Sequence, residues 1–202
     1  MLRNRVEETS QRTAGATAAA QAEVNLIARV ATARDLRAFE ELYRTYHVRL
    51  TRFLERLTRR RDALVEELLN DTMLVVWKRA DSYNGRSKVS TWIFAIAYRK
   101  ALKALRRVDD AIEDHEPEQH ASADPGPEQQ LDQRQLRSVL GCALRELTPE
   151  HRAVIELTYF QGAAYSEIAQ IVECSVGTVK TRMFHARRRL RALLTGELGD
   201  WL

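Results

Sequence analysis

The stretch from Tyr165 to Leu194 reads YSEIAQIVECSVGTVKTRMFHARRRLRALL. It holds two helical patterns, Tyr165–Val172 and Val176–Leu194, with only Glu173-Cys174-Ser175 between them. A link this short makes the helices cross steeply, which is the geometry of a helix-turn-helix. In the second pattern Val176, Val179, Met183, Ala186 and Leu190 recur at steps of three and four, so one face is apolar. Thr181, Phe184, His185 and Arg188 point broadly the other way, flanked by Lys180 and Arg187 on one side and by Arg182 and Arg189 on the other. Cys174 to Thr195 contains six Lys or Arg and no acid, so the exposed face carries an unopposed positive field. A helix lying in the major groove needs cations for phosphates and short polar or aromatic tips for base edges. Ser175 is placed to cap this helix and Ala169 is small where the two helices meet. A basic helical hairpin without DNA is the competing reading; the crossing, the cap and the acid-free face together favour DNA.

Working outward, Leu147-Thr148-Pro149-Glu150 starts the preceding helix, with Thr148 as cap and Pro149 at the first helical position. Val154, Ile155, Leu157 and Tyr159 would pack that helix beneath the hairpin. With a helix over Leu131–Leu147, residues 131–202 form a compact four-helix domain. Before it, residues 108–130 change character. They hold eight acids, three of the four prolines and no Lys or Arg, which predicts a flexible acidic linker.

Residues 22–107 read as a second helical domain. Phe39, Leu42, Tyr43, Tyr46, Leu50, Phe53, Leu54 and Leu57 form the stripe of a long amphipathic helix. Asp62–Asp81 is another helix, with Asp62 as expected N-cap, apolar packing by Leu64, Leu68, Leu69, Val76 and Trp77, and an acidic side of Glu66, Glu67, Asn70 and Asp71. Tyr83–Ser90 is a loop by its Asn84-Gly85 and polar run. Thr91–Arg107 is a third helix with one broad apolar side. Opposite it, Trp92 lines up with Arg99, Lys103 and Arg106. Arg86 to Arg107 contains seven Lys or Arg and no acid. An aromatic at the head of a basic stripe suits a surface that holds phosphates while a base stacks. Trp92 as a core residue beside a solvated basic face is the other reading. Residues 1–21, rich in Ala, Thr, Gln and Arg, are expected to be a mobile tail with some helix.

The fold class expected is therefore all-α, two small helical domains joined by a flexible acidic linker. With 8 Gly and 4 Pro in 202 residues there is little turn chemistry for a many-stranded fold. The net charge of +4 is modest but unevenly placed. No apolar run is long enough to cross a bilayer, no secretion signal is visible, and Cys142 and Cys174 lack metal-ligand spacing. A cytoplasmic protein with no cofactor, no metal and no membrane insertion is expected. No carboxylate cluster, phosphate-binding loop or nucleophile–base pair supports an enzyme.

Two separate stretches resemble one family, the bacterial sigma factors of the extracytoplasmic-function group. Ala38-Phe39-Glu40-Glu41-Leu42-Tyr43, Glu66-Glu67-Leu68-Leu69-Asn70-Asp71-Thr72, Trp77 and Ser90-Thr91-Trp92-Ile93 through Arg107 resemble that family's promoter-opening domain. Leu147-Thr148-Pro149-Glu150-His151-Arg152, Glu167-Ile168-Ala169, and Gly177-Thr178-Val179-Lys180-Thr181-Arg182 with Ala186-Arg187 resemble its C-terminal domain. The resemblance implies a subunit that binds core RNA polymerase, directs it to promoter DNA and helps separate the strands, with an anti-sigma factor as a further partner. By similarity Glu67, Asn70, Asp71 and Leu74 would bind core polymerase. Asn84, Arg86, Lys88, Trp92, Arg99, Lys103 and Arg106 would take and melt the −10 element. Lys180, Thr181, Phe184 and His185 would read the −35 element, with Arg182, Arg187 and Arg188 on its backbone. The family usually has Asn where Arg99 stands, Asp where Lys103 stands, and often Gly where Glu173 stands. A DNA-binding regulator acting without polymerase is the alternative, and it leaves the Trp92 stripe and the acidic side of Glu67 and Asp71 without a purpose.

Overall fold

The computed structural model describes residues 2–59, 61–112 and 139–198, and they form eight α-helices and a short 3-10 turn, with no strand among the described residues. The helices are α1 (Leu2–Ala33), α2 (Leu36–Leu57), α3 (Asp62–Arg79), α4 (Val89–Ile112), α5 (139–145), α6 (Pro149–Tyr159), α7 (Tyr165–Ile171) and α8 (Val176–Leu198). Positions 113–130 of the expected linker, and 131–138 of the helix after it, lie outside the described residues.

The stretch set apart as a tail is helical from Leu2 and continues unbroken into the rest of α1. Its alanines, arginines and glutamines have good intrinsic helix propensity, and it lacks proline. Leu26, Ile27 and Val30 near the end of α1 are buried. The helix stops at Arg34, whose φ of 48° is left-handed. Asp35 then caps α2, accepting from the amides of Arg37 and Ala38 and from Arg29 at 2.7 Å. The Arg29 guanidinium, followed by the Ala38 amide, holds the Asp35 carboxyl below its ordinary pKa. Arg34 itself donates to the carbonyls of Trp77 and Lys78, closing the C-terminal end of α3.

The expected stripe of α2 is observed, with Leu42, Tyr46, Leu50, Phe53, Leu54 and Leu57 fully buried and Phe39 and Tyr43 partly so. Phe53 meets Phe94 of α4 edge-on at 5.2 Å between centroids, and the Tyr46 hydroxyl donates to Glu23 of α1. In α3 the helix begins at Asp62 itself, after an Arg61 that makes no side-chain cap, so Asp62 is the first helical residue rather than the N-cap. There its carboxylate suits the positive end of the helix dipole instead.

Around the C-terminal hairpin the local reading holds in detail. Thr148 accepts from the His151 amide with Pro149 beginning α6, and Ser175 Oγ accepts from the Thr178 amide. Val179, Met183 and Ala186 of α8 are buried against Ile168, Ala169 and Val172, whereas Val176, expected on the same face, is exposed at the helix start. At the corner Glu173 adopts φ 52°, a left-handed conformation costing a non-glycine residue on the order of 1 kcal/mol.

The contact between the two helical modules is one the sequence reading does not describe. The two modules, whose connecting residues lie outside the described ones, are packed on each other: one continuous apolar cluster runs through both, with α7 lying on α4 and α6 on α2. That is why α4 is buried nearly all round from Ile93 to Tyr98, including Ala95, Ile96 and Tyr98 outside the expected apolar side. A helix covered from two directions loses its single stripe.

Candidate nucleic-acid interface

On α8 the residues expected to read DNA separate into two groups. Lys180, Thr181, Phe184, His185 and Arg188 are exposed, and Phe184 leaves 62% of its surface in solvent. Phe184 meets His185 ring to ring at 5.4 Å. His185 in turn stacks on His151 of α6 at 6.3 Å. Burial, and then the neighbouring His185, hold His151 below the ordinary imidazole pKa. Thr181 donates its hydroxyl to Gly177 O and keeps acceptor capacity outward.

Arg182 and Arg187 have other partners. Arg182 is half-buried beside Cys174 and reaches toward Tyr98 of α4, whose hydroxyl burial pushes up to about 12. Arg187 donates to the Tyr159 hydroxyl at 2.5 Å and sits over that ring, in an apolar groove between α5, α6 and the end of α8. The helical wheel put both beside the DNA face, and their partners on α4 and α6 were invisible to it.

The −10 candidates lie along the loop before α4 and its exposed edge. Gly85, at φ 72°, turns the loop, and the Asn84 side chain accepts from the Arg86 amide, so Asn84 shapes the turn. The Tyr83 hydroxyl donates to Ser87 O and closes the loop, and its ring lies 5.8 Å from Trp92. Trp92 is thus half-buried, packed against the core and beside Tyr83. Arg86, Lys103 and Arg106 are exposed. Lys88 and Arg99 are exposed too, but each meets an acid of the other module: Lys88 with Glu167 at 2.6 Å and Arg99 with Glu173.

The expected polymerase face is a solvent-facing strip of α3. Glu67, Asn70 and Leu74 are exposed, Leu74 at 47%, an apolar tip among acids. Asp71 is half-buried and accepts from Lys100 of α4 at 2.7 Å, which fixes α3 against α4.

Sequence reasoning missed the residues that join the modules. Arg56 of α2 meets Glu156 of α6 at 2.7 Å and lies 3.6 Å over the Phe160 ring, while Arg49 donates to Gln161. Burial raises the Glu156 pKa above the ordinary carboxylate value despite Arg56. Arg152, also buried, donates to carbonyls of both modules. An Arg and a Glu on helix faces otherwise apolar, in α6, was the available signal.

A loop-headed basic helix and a helix-turn-helix, each showing cations and an aromatic to solvent, define a two-module DNA-binding protein. Residues 42–110 match the family model for sigma-70 region 2 and residues 137–190 that for sigma-70 region 4. The chain is similar to RNA polymerase sigma factor CarQ of Myxococcus xanthus, 33% identical over 164 residues covering 80% of this chain and 91% of that protein. It is also similar to ECF RNA polymerase sigma factor SigM of Mycobacterium tuberculosis, 32% identical and covering 80% of each. Among solved structures it resembles sigma factor RpoE of Bartonella quintana, crystallised with the anti-sigma factor NepR, at TM-score 0.63 and 26% identity over 79% of this chain and 98% of that one. The chain belongs to the extracytoplasmic-function group of sigma factors, and it directs RNA polymerase to promoters.

Proposed function

We propose that the chain is a dissociable specificity subunit whose modules divide the promoter between them, α8 reading the −35 element and the loop with α4 capturing the opened −10 strand. The observation that carries this is the pair of aromatics, Phe184 exposed on α8 and Trp92 half-buried at the head of α4, each set in an acid-free run of cations. Cations fix a phosphate backbone without reading it, and the aromatic tip adds contact to a base edge or a base face. Glu67, Asn70 and Leu74 form the surface for core polymerase, with Asp71 held beside them by Lys100. The subunit carries no catalytic site of its own and works in the cytoplasm, and an anti-sigma factor is a partner by analogy with RpoE. No helix among the described residues is long and apolar enough to cross a membrane.

Run-off transcription with purified core polymerase tests this reading. Core polymerase plus the chain is expected to give discrete promoter-dependent transcripts that core alone does not. Tight, sequence-specific shifting of promoter DNA with no transcript in any combination would instead make it a regulator acting without polymerase.

A second prediction separates readers from holders on α8. Phe184→Ala and His185→Ala are expected to lower affinity for the cognate −35 duplex by roughly tenfold while leaving scrambled duplex unchanged. Arg188→Ala is expected to weaken both equally and to flatten the log–log salt dependence by about one unit. Equal losses on both duplexes for all three would remove the distinction.

A further inference from the structure

α7 lies along α4 and is pinned to it at both ends by charge. Near its start Glu167 meets Lys88, and just past its end Glu173 meets Arg99. Both cations belong to the −10 surface; both acids belong to the helix-turn-helix. Glu173 is the stronger clue. Its backbone is left-handed, where glycine would sit without strain, so a glutamate stands there at a conformational cost. The contact it makes there is the ion pair with Arg99.

Glu167 is similarly committed. It accepts from the Ala164 amide at 2.9 Å, capping α7, and from Lys88 at 2.6 Å. Burial works against its charge, yet Lys88 and the Ala164 amide hold its pKa below the ordinary value, so it is ionised at neutral pH. A carboxylate bound to Lys or Arg occupies the place a phosphate oxygen would take.

We propose that Glu167 and Glu173 act as internal phosphate mimics, holding Lys88 and Arg99 in the docked arrangement so that free protein resists binding opened DNA. This deepens the proposed function and rests on its assignment of Lys88 and Arg99 to the −10 strand. Release requires only that the acids leave these two cations, which core polymerase brings about if it draws the modules apart to match promoter spacing.

The test uses the full chain, without polymerase, titrated into a fluorescently labelled single-stranded oligothymidylate; phosphate contacts do not depend on base sequence. E167Q/E173Q keeps both side-chain shapes, and Gln at 167 still accepts from the Ala164 amide. It is expected to bind about three- to tenfold tighter than wild type at low salt, the advantage fading as salt screens the bridges. E41Q/E66Q changes net charge equally at exposed acids of α2 and α3 and is expected to gain less than twofold. K88A/R99A is expected to bind less tightly than wild type, and to erase the gain when added to E167Q/E173Q. If K88A/R99A weakens binding but E167Q/E173Q gains no more than its charge-matched control, the mimicry is wrong and the −10 assignment stands. If K88A/R99A binds as wild type does, the assignment fails and the proposal with it. E173G separates a lock from a structural strut: it is expected to melt no lower than wild type, and a clear drop would overturn the proposal.

Discussion

Replacing Arg152 with methionine is expected to lower unfolding stability by about 2 to 4 kcal/mol, because it leaves several buried carbonyls without their donor. Arg152 is only 3% exposed and no carboxylate bonds to it. Its guanidinium donates to Leu144 O, Arg145 O and Leu147 O at the end of α5, and to Leu57 O and Arg56 O at the end of α2. Carbonyls left over at a helix C-terminus carry partial negative charge and lack intrahelical donors, so one cation satisfies several of them at once. Burial pulls the Arg152 pKa down to about 10, still leaving the group charged at pH 7. Methionine keeps the apolar stem but leaves those carbonyls buried without donors, at about 1 to 3 kcal/mol each where water cannot reach. Arg152→Lys keeps the charge but not the planar fork, and is expected to fall between wild type and methionine. Urea unfolding followed by circular dichroism measures both. A midpoint for the methionine variant within about 0.5 kcal/mol of wild type would show that water replaces the guanidinium.

The same residue shows where a sequence stops being legible. Arg152 stands within a run that reads plainly as the first turn of a helix, capped by Thr148 and opened by Pro149, and each of those local features is found in the fold. Caps and apolar periodicity involve residues a few positions apart, so Ser175, Val179, Met183 and the α2 stripe were all readable. Arg152 reaches Leu57, 95 positions away, and Arg34 reaches Trp77, 43 positions away, through backbone carbonyls that look alike in every sequence. Nothing in residue type announces such an acceptor.

The module contact was hidden for a related reason. Ala95, Ile96 and Tyr98 sit on parts of α4 where small or amphipathic residues suit water and protein equally, so the wheel recorded only the stronger stripe. Basic residues on the remaining edge then read as one surface. The fold divides that surface by partner: Lys100 goes to Asp71 within the module, Arg99 and Lys88 to acids of the other module, and Arg86, Lys103 and Arg106 remain exposed. The candidate site was therefore legible as a list of cations. Which of them are available was set by acids elsewhere in the chain, one of which had looked like a simple corner residue.

Among the residues proposed to touch DNA, Trp92→Ala is expected to have the largest effect on transcription, a loss of about 10- to 100-fold from a closed duplex promoter. Stacking of one base on an aromatic ring is worth about 1 to 3 kcal/mol by alanine substitution, and each 1.4 kcal/mol is tenfold in an equilibrium constant. Opening a duplex and extruding a base costs a few kcal/mol, so losing the ring that receives the base weighs directly on the open state. Trp92 also packs on the core and on Tyr83, and its removal loosens the Tyr83–Ser87 loop closure, which a fold-only role would share. A template carrying a pre-opened −10 bubble separates the two causes. With the opening cost already removed, Trp92→Ala is expected to recover to within a few-fold of wild type, and Trp92→Phe, which keeps both stacking and packing, to lie near wild type on either template. A deficit of the same size on duplex and bubble, with the phenylalanine variant equally impaired, would mean that Trp92 serves the fold of the loop and that the opened strand is held by the cations alone.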